Sequence, residues 1–372
     1  MSGLGWEQMR AWRVARHGLG ARAPASELLP AVSRLCGVHA QLMSSAELTL
    51  WARLEALDPG AVATALWEDR TLVKTWAMRG TLHLLPAGEL GLWLAGLGTY
   101  DHYLKPAWIR AFDISEAALL ELIDEVGDAL GGGPLTRAEL AAAVVERTGD
   151  EGLREKLGQG FGAYLKPAAF RGRLCFGPGD GQKVRFTRPD VWLGREIQRP
   201  DGEEALREIA RRYLAVHGPA TREDLRRWWA TTPAAAGKLL RSLEDATEVE
   251  LDGDAYWMLQ ADAEVAAALP AAAGVRLLPA FDQYVIAATK QAGHFLAGEH
   301  RDRIYRPQGW ISPVLLIDGV MAGVWRHERK GRRLEVVVEP FGRLPRGTRP
   351  AIREEAERLA AYLGGELALS YV

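Results

Sequence analysis

Apolar positions recur along this chain with two periods, and the places where one gives way to the other divide it. Helical spacing, every third or fourth residue, runs through "SELLPAVSRLCG" (26–37), "SSAELTLWARLEAL" (44–57) and "PGAVATALWED" (59–69). Alternation with a period of two then takes over in "TLVKTWAMRGTLHLLP" (71–86), which reads as a hairpin turning near Arg79-Gly80. Further on, "GPLTRAEL" (133–140) is echoed by "GPATREDL" (218–225), both of the form G-P-x-T-R-x-acid-L, the second 85 positions after the first (221 minus 136). In each, Gly-Pro ends the preceding element, the threonine is a natural N-cap, and the acid three residues later completes a capping box. Helices are therefore expected to start at Thr136 and Thr221.

Thr221 leads into a helix "REDLRRWWA", a turn at Thr231-Thr232-Pro233, a second helix "AAAGKLLRSLED", then "TEVELDGDAYWML" as strand, Asp-Gly turn and strand. After Thr136 come a helix "RAELAAAVVERTG", one or two more in "EGLREKLGQGFGAYLKPAAFRG", and a hairpin with a Gly-rich tip in "RLCFGPGDGQKVRFTRP". Helix, turn, helix, hairpin is the order of a winged helix, and the first hundred residues obey it more loosely. Beyond about Gly274 the character changes. "VRLLPAFDQYVIA", "WISPVLLIDGVMAGVWRHERKGRRLEVVVEPF" and "GGELALSYV" read as strands, and "RPAIREEAERLAAYLG" as a helix between the last two. The expected class is α+β: three tandem winged-helix motifs over residues 1–112, 113–200 and 201–272, followed by a β-rich unit over 273–372.

Composition narrows the function. With 48% hydrophobic and 25% charged residues the chain is ordinary globular material. A formal net charge of -2 means that any nucleic-acid binding must rest on local patches. One is visible: Arg326 to Arg353 holds nine Lys or Arg against three Glu, a net of +6. Its densest part is Arg326, Arg329, Lys330, Arg332 and Arg333, at and beside the tip of an expected hairpin. A charge run on a turn is by default a solvated turn. On a short hairpin in a chain of winged helices it also suits phosphate contact. Lys74 and Arg79 on the first hairpin are weaker candidates, as are Arg222, Arg226 and Arg227. The two cysteines form no C-x-x-C, and the histidines match no common zinc spacing, so neither metal nor cofactor is expected. No phosphate-binding G-x-x-x-x-G-K-[ST] occurs. No signal-like start and no run of eighteen apolar residues is seen, so a cytoplasmic protein without membrane attachment is expected.

The candidate chemistry sits in "CGVHAQLMSSAE" (36–47). His39 and Gln41, two apart in an extended turn, point the same way and can hold a water beside the next helix. That helix is expected to start with Ser44 as N-cap and Glu47 closing a capping box, with Leu50, Leu54 and Leu57 on one face. On its own an H-x-Q is more often a satisfied imidazole and a turn-capping amide. Cys36, three before His39, reads as a small core residue rather than a nucleophile, because nothing around it marks a cysteine enzyme.

Taken in order, "VHAQLMSSAELTLWAR", "WAMRGTLHLLP", "GPATREDLRRWW", "LLPAFDQYV" and "GWISPVLLIDGVMAGVWR" resemble the AlkZ-like and YcaQ-like winged-helix DNA glycosylases over nearly the whole chain. The resemblance implies three winged helices and a β-rich part forming a DNA-binding cleft. It also implies a monomer that excises bulky or cationic alkylated purines from duplex DNA, in repair or in self-resistance to a genotoxin. The family's polar-aliphatic-polar catalytic motif, usually beginning with Gln, falls here on His39 and Gln41. The competing expectation is a non-catalytic winged-helix regulator, since winged helices alone indicate DNA rather than chemistry.

Overall fold

A computed structural model describes residues 4–159, 162–180, 183–289 and 291–372. Helix and strand are mixed throughout, and the chain divides into two compact units, residues 1–61 with 210–372 and residues 62–209. Among the described residues no helix is long and apolar enough to cross a membrane.

The first unit opens with the helix Trp6–Arg16, whose Met9, Trp12 and Val14 are buried. The helix Leu28–Arg34, a two-residue strand Val38–His39 and the helix Met43–Trp51 come next. After the chain returns, the helices Arg222–Trp229 and Pro233–Arg241 lead into an antiparallel hairpin, Ala246–Leu251 against Asp254–Leu259. The Thr221 hydroxyl accepts the amide hydrogen bond of Asp224, and the Asp224 carboxylate accepts that of Thr221, so the expected capping box is formed. Thr232 caps the next helix in the same way through Ala235.

The unit's largest sheet has five strands, in the order Val275–Leu278, Val314–Ile317, Val320–Lys330, Arg333–Pro340 and Glu366–Tyr371. The last pairs parallel with its neighbour and the others are antiparallel. The helix Thr348–Leu363 makes the crossover to that parallel strand, burying Ile352, Ala356 and Leu359. Strand Val275–Leu278 stops where Pro279 removes a ladder donor. "DQYVIA", expected as strand, is instead a short helix, Gln283–Ala287, because Asp282 caps it by accepting from the Tyr284 amide at 2.9 Å. The cap is a local signal that the apolar run concealed.

The second unit contains the expected first hairpin, Leu72–Trp76 against Leu82–Pro86, turning through Met78–Gly80. It also contains the helix Arg137–Thr148, with the Thr136/Glu139 capping box complete. The helices Gly152–Gly158 and Lys166–Phe170 and the pair Cys175–Asp180 and Lys183–Thr187 come next. The tip of that pair, residues 181–182, and residues 160–161 within the helical stretch before it lie outside the described residues. The Trp76 ring packs edge-on to Phe176 at 4.9 Å, which ties the two hairpins of this unit together.

Candidate functional site

His39 and Gln41 lie in the connection between the helices Leu28–Arg34 and Met43–Trp51. The chain reverses through two left-handed residues, Cys36 (φ 57°) and Gly37 (φ 88°). Glycine adopts this conformation at no steric cost; cysteine does not. The Cys36 and Gly37 amides close the turn on the carbonyls of Ser33 and Val32. Cys36 itself is buried, as a small core residue would be.

Val38–His39 then runs extended, and the chain bends at Gln41 and Leu42. That bend interrupts the two-residue alternation expected from sequence. His39 is inside (5% exposed), whereas Gln41 is exposed. The helix after the bend does not begin with Ser44. Its N-cap is Leu42, in an extended conformation (φ -113°) and without a side-chain cap, and the Leu42 carbonyl accepts from both Ser45 and Ala46. Burial of Ala46, Thr49 and Leu50 sets the start of this helix, overriding the hydroxyl signal. Glu47 is half-buried, and burial pushes its carboxyl pKa upward. The helix ends at Trp51, so Leu54 and Leu57 are buried from outside it and share no helical face with Leu50.

The wall behind His39 comes from the segment after strand Val275–Leu278. The Phe281 ring stacks on the imidazole, centroids 4.9 Å apart and planes 22° from parallel. Trp310 meets Phe281 edge-to-face at 5.1 Å. Phe281 is left-handed (φ 59°), a conformation that costs a bulky side chain energy and must be held by its surroundings.

Three contacts hold it. Asp282 is fully buried and paired with Arg53 through two hydrogen bonds, Nη1 to Oδ2 at 2.7 Å and Nη2 to Oδ1 at 2.8 Å. Arg53 is anchored in turn, its Nε donating to the His17 carbonyl and its Nη1 to the Thr49 carbonyl, each at 2.8 Å. Gln283 Nε2 donates to the Gly37 carbonyl at 2.9 Å, which joins the Phe281 segment to the turn that carries His39. Phe281, Asp282, Gln283 and Trp310 were absent from the sequence-derived candidates. Their signal was present in "AFDQYV" and "GWISPV", but both stretches read as strand.

The basic hairpin is present, Lys330 opposite Arg333 across a Gly331-Arg332 turn. Its neighbour Val314–Ile317 pairs no further than Val324. From Arg326 to Lys330 that edge therefore has no strand partner among the described residues, a length of roughly 17 Å. Charge on a bare edge also deters edge-to-edge association. Several of the cations have partners within the fold. Lys330 contacts Glu335 at 2.8 Å and Glu328 at 3.5 Å. Arg329 donates to the carbonyls of Leu363 and Gly364, where it caps a helix C-terminus. Arg333 lies 3.8 Å from Glu335. Arg326 and Arg332 are exposed and make no side-chain hydrogen bond or ion pair among the described residues.

Lys74 and Arg79 belong to the second unit. Lys74 is half-buried, its ammonium 5.4 Å over the Phe176 ring, and burial lowers its pKa. Arg79, left-handed (φ 61°) at the hairpin turn, lines a cavity of about 160 Å³ with Lys166, His102 and Tyr103. On the helix Arg222–Trp229, Arg226 pairs with Glu223, while Arg222 and Arg227 are exposed.

Residues 32–362 match the family described as DNA glycosylase AlkZ-like. The chain belongs to this family. It is 38% identical over 364 residues to an interstrand DNA cross-link repair glycosylase of Streptomyces sahachiroi, covering 96% of each sequence. The solved structure of Streptomyces sahachiroi DNA glycosylase AlkZ matches with a TM-score of 0.90 at 38% identity, over 100% of both chains. This AlkZ-like chain is therefore a DNA glycosylase, an enzyme of DNA repair whose partner is DNA, and the reading as a non-catalytic regulator is set aside.

Proposed function

We propose that this enzyme removes cationic alkylated purines, N7- or N3-substituted and including bulky or cross-linked ones, from duplex DNA by attack of water at C1′. The observation that carries this reading is the pairing of a buried, ring-stacked His39 with an exposed Gln41 in the turn before a helix, in a chain of this family. The cross-link in the name of the Streptomyces sahachiroi relative supports bulky lesions as substrates.

A purine alkylated at N7 or N3 already bears positive charge and departs without a strong general acid. The catalytic work that remains is to place water and to stabilise an oxocarbenium-like transition state. Gln41, whose amide both accepts and donates but takes no proton, orients the water. His39 in its neutral form accepts the proton. The helix-and-hairpin sets act as winged helices that bind the duplex, the basic hairpin adds phosphate contacts, and the enzyme works as a monomer.

This role for His39 is tested by His39→Gln, which keeps an orienting group and loses the base. It should lower the single-turnover rate of base release about 100-fold without weakening DNA binding. An unchanged rate would leave His39 only a positioning role.

Arg326 and Arg332, the hairpin cations with no partner among the described residues, are proposed to contact phosphate. The double change to Ala should reduce the slope of log affinity against log salt by roughly 1 to 2. An unchanged slope would place the hairpin off the DNA.

A further inference from the structure

Five large apolar side chains are exposed among the described residues: Leu42, Val184, Val265, Trp310 and Val372. Two of them adjoin the proposed site. Leu42 comes directly after Gln41, and Trp310 is joined to His39 through the single ring of Phe281. Trp310 leaves 44% of its surface uncovered, a large area for the costliest side chain to expose.

The loop that carries Trp310 is rigidly built. Tyr305 and Ile311 bridge antiparallel, the Arg306 amide donates to the Trp310 carbonyl at 2.8 Å, and the Ser312 amide donates to Ile304 at 2.9 Å. The Ser312 hydroxyl donates to the Arg303 carbonyl at 2.9 Å. Gln308 (φ 59°) and Gly309 (φ 77°) take left-handed conformations to make the turn. Arg306, Pro307, Gln308, Gly309 and Trp310 are all exposed. The loop thus presents a cation, an amide and a partly exposed indole to solvent, with the indole packed against Phe281.

We propose that Trp310 is a stacking platform for a nucleobase of the DNA substrate, aligned with the reacting centre by the ring series Trp310–Phe281–His39. This rests on His39 and Gln41 marking that centre. A base bound against a ring already held in place forfeits little side-chain entropy, so the contact is efficient. Arg306, on the same turn, supplies the phosphate contact that accompanies a stacked base in DNA-binding grooves.

The test uses the full chain and a duplex carrying a tetrahydrofuran abasic analogue, which binds without undergoing chemistry. Trp310→Ala should weaken binding at least about fivefold, and Trp310→Phe should stay within about twofold of wild type. Both variants should keep a cooperative thermal transition, since much of the indole is already exposed. With 5-iodouracil placed in turn at positions flanking the analogue, irradiation should cross-link DNA to Trp310. Unchanged affinity in Trp310→Ala would overturn the proposal, and so would an equal loss in Trp310→Phe or cross-links that map elsewhere. A glycosylase centre located elsewhere would show instead as full turnover in His39→Ala, an outcome separate from all of these.

Discussion

Replacing Gln41 by Ala is expected to lower the rate of base release at least about 100-fold while leaving affinity for duplex DNA within about twofold. Gln41 is exposed at the surface turn before the helix Met43–Trp51, so its removal leaves no cavity and no buried polar group. In the proposed mechanism its contribution is confined to the reacting water. Removing one pre-oriented polar group from a site where charge develops typically costs 10²- to 10³-fold in turnover. The effect should appear in the single-turnover rate at saturating enzyme and not in the dissociation constant, because the interaction strengthens only as the transition state is approached. A Gln41→Ala protein that bound tenfold more weakly yet turned over normally once saturated would make Gln41 a DNA contact rather than a water-positioning group.

Asp282→Ala is expected to destabilise the first unit by about 3–5 kcal/mol. Asp282 is fully buried and Arg53 is 2% exposed, so truncating the carboxylate strands a guanidinium in the interior and uncaps the helix Gln283–Ala287. Urea denaturation should show the loss in the transition of the unit that contains both residues. Changing both partners together, Arg53→Met with Asp282→Leu, should recover much of it, since the cost lies in the unpaired charge more than in the missing attraction. A loss below about 1 kcal/mol in the single variant would mean that water reaches the pair and that it does not hold the Phe281 segment.

How much of this was legible in sequence depended on how local each signal is. The capping boxes at Thr136 and Thr221 are complete within four residues, and both formed as read. The Asp252-Gly253 and Gly331-Arg332 hairpins are specified by their turn residues, and they too are present. Ser44 carried the same kind of signal but was overridden, because tertiary burial of Ala46 and Leu50 fixed where its helix starts. "FDQYVIA" misled in the opposite sense: its apolar run resembles a strand, and the Asp282 cap that makes it helical is also one half of an ion pair with a residue far earlier in the chain.

The candidate site was legible in part for the same reason. His39 and Gln41 stand out as a polar pair in an apolar stretch. The ring behind His39, the amide that ties Gln283 to Gly37 and the indole of Trp310 come from segments that only folding brings to it. The density of charge on the basic hairpin was equally plain. That Glu328, Glu335 and a helix C-terminus already engage Lys330, Arg333 and Arg329 depends on strand register and on the crossover helix, neither of which composition reveals.

The central claim is that this chain excises alkylated purines at the His39–Gln41 turn. It is tested most directly by counting abasic sites released from duplex DNA containing N7-methylguanine, and in parallel from the same duplex carrying a bulky N7 adduct, with wild type beside Gln41→Ala. Wild type is expected to release base from at least one of the two, and the variant to lose that release. Release that survives in Gln41→Ala, or none by wild type from either duplex, would contradict it.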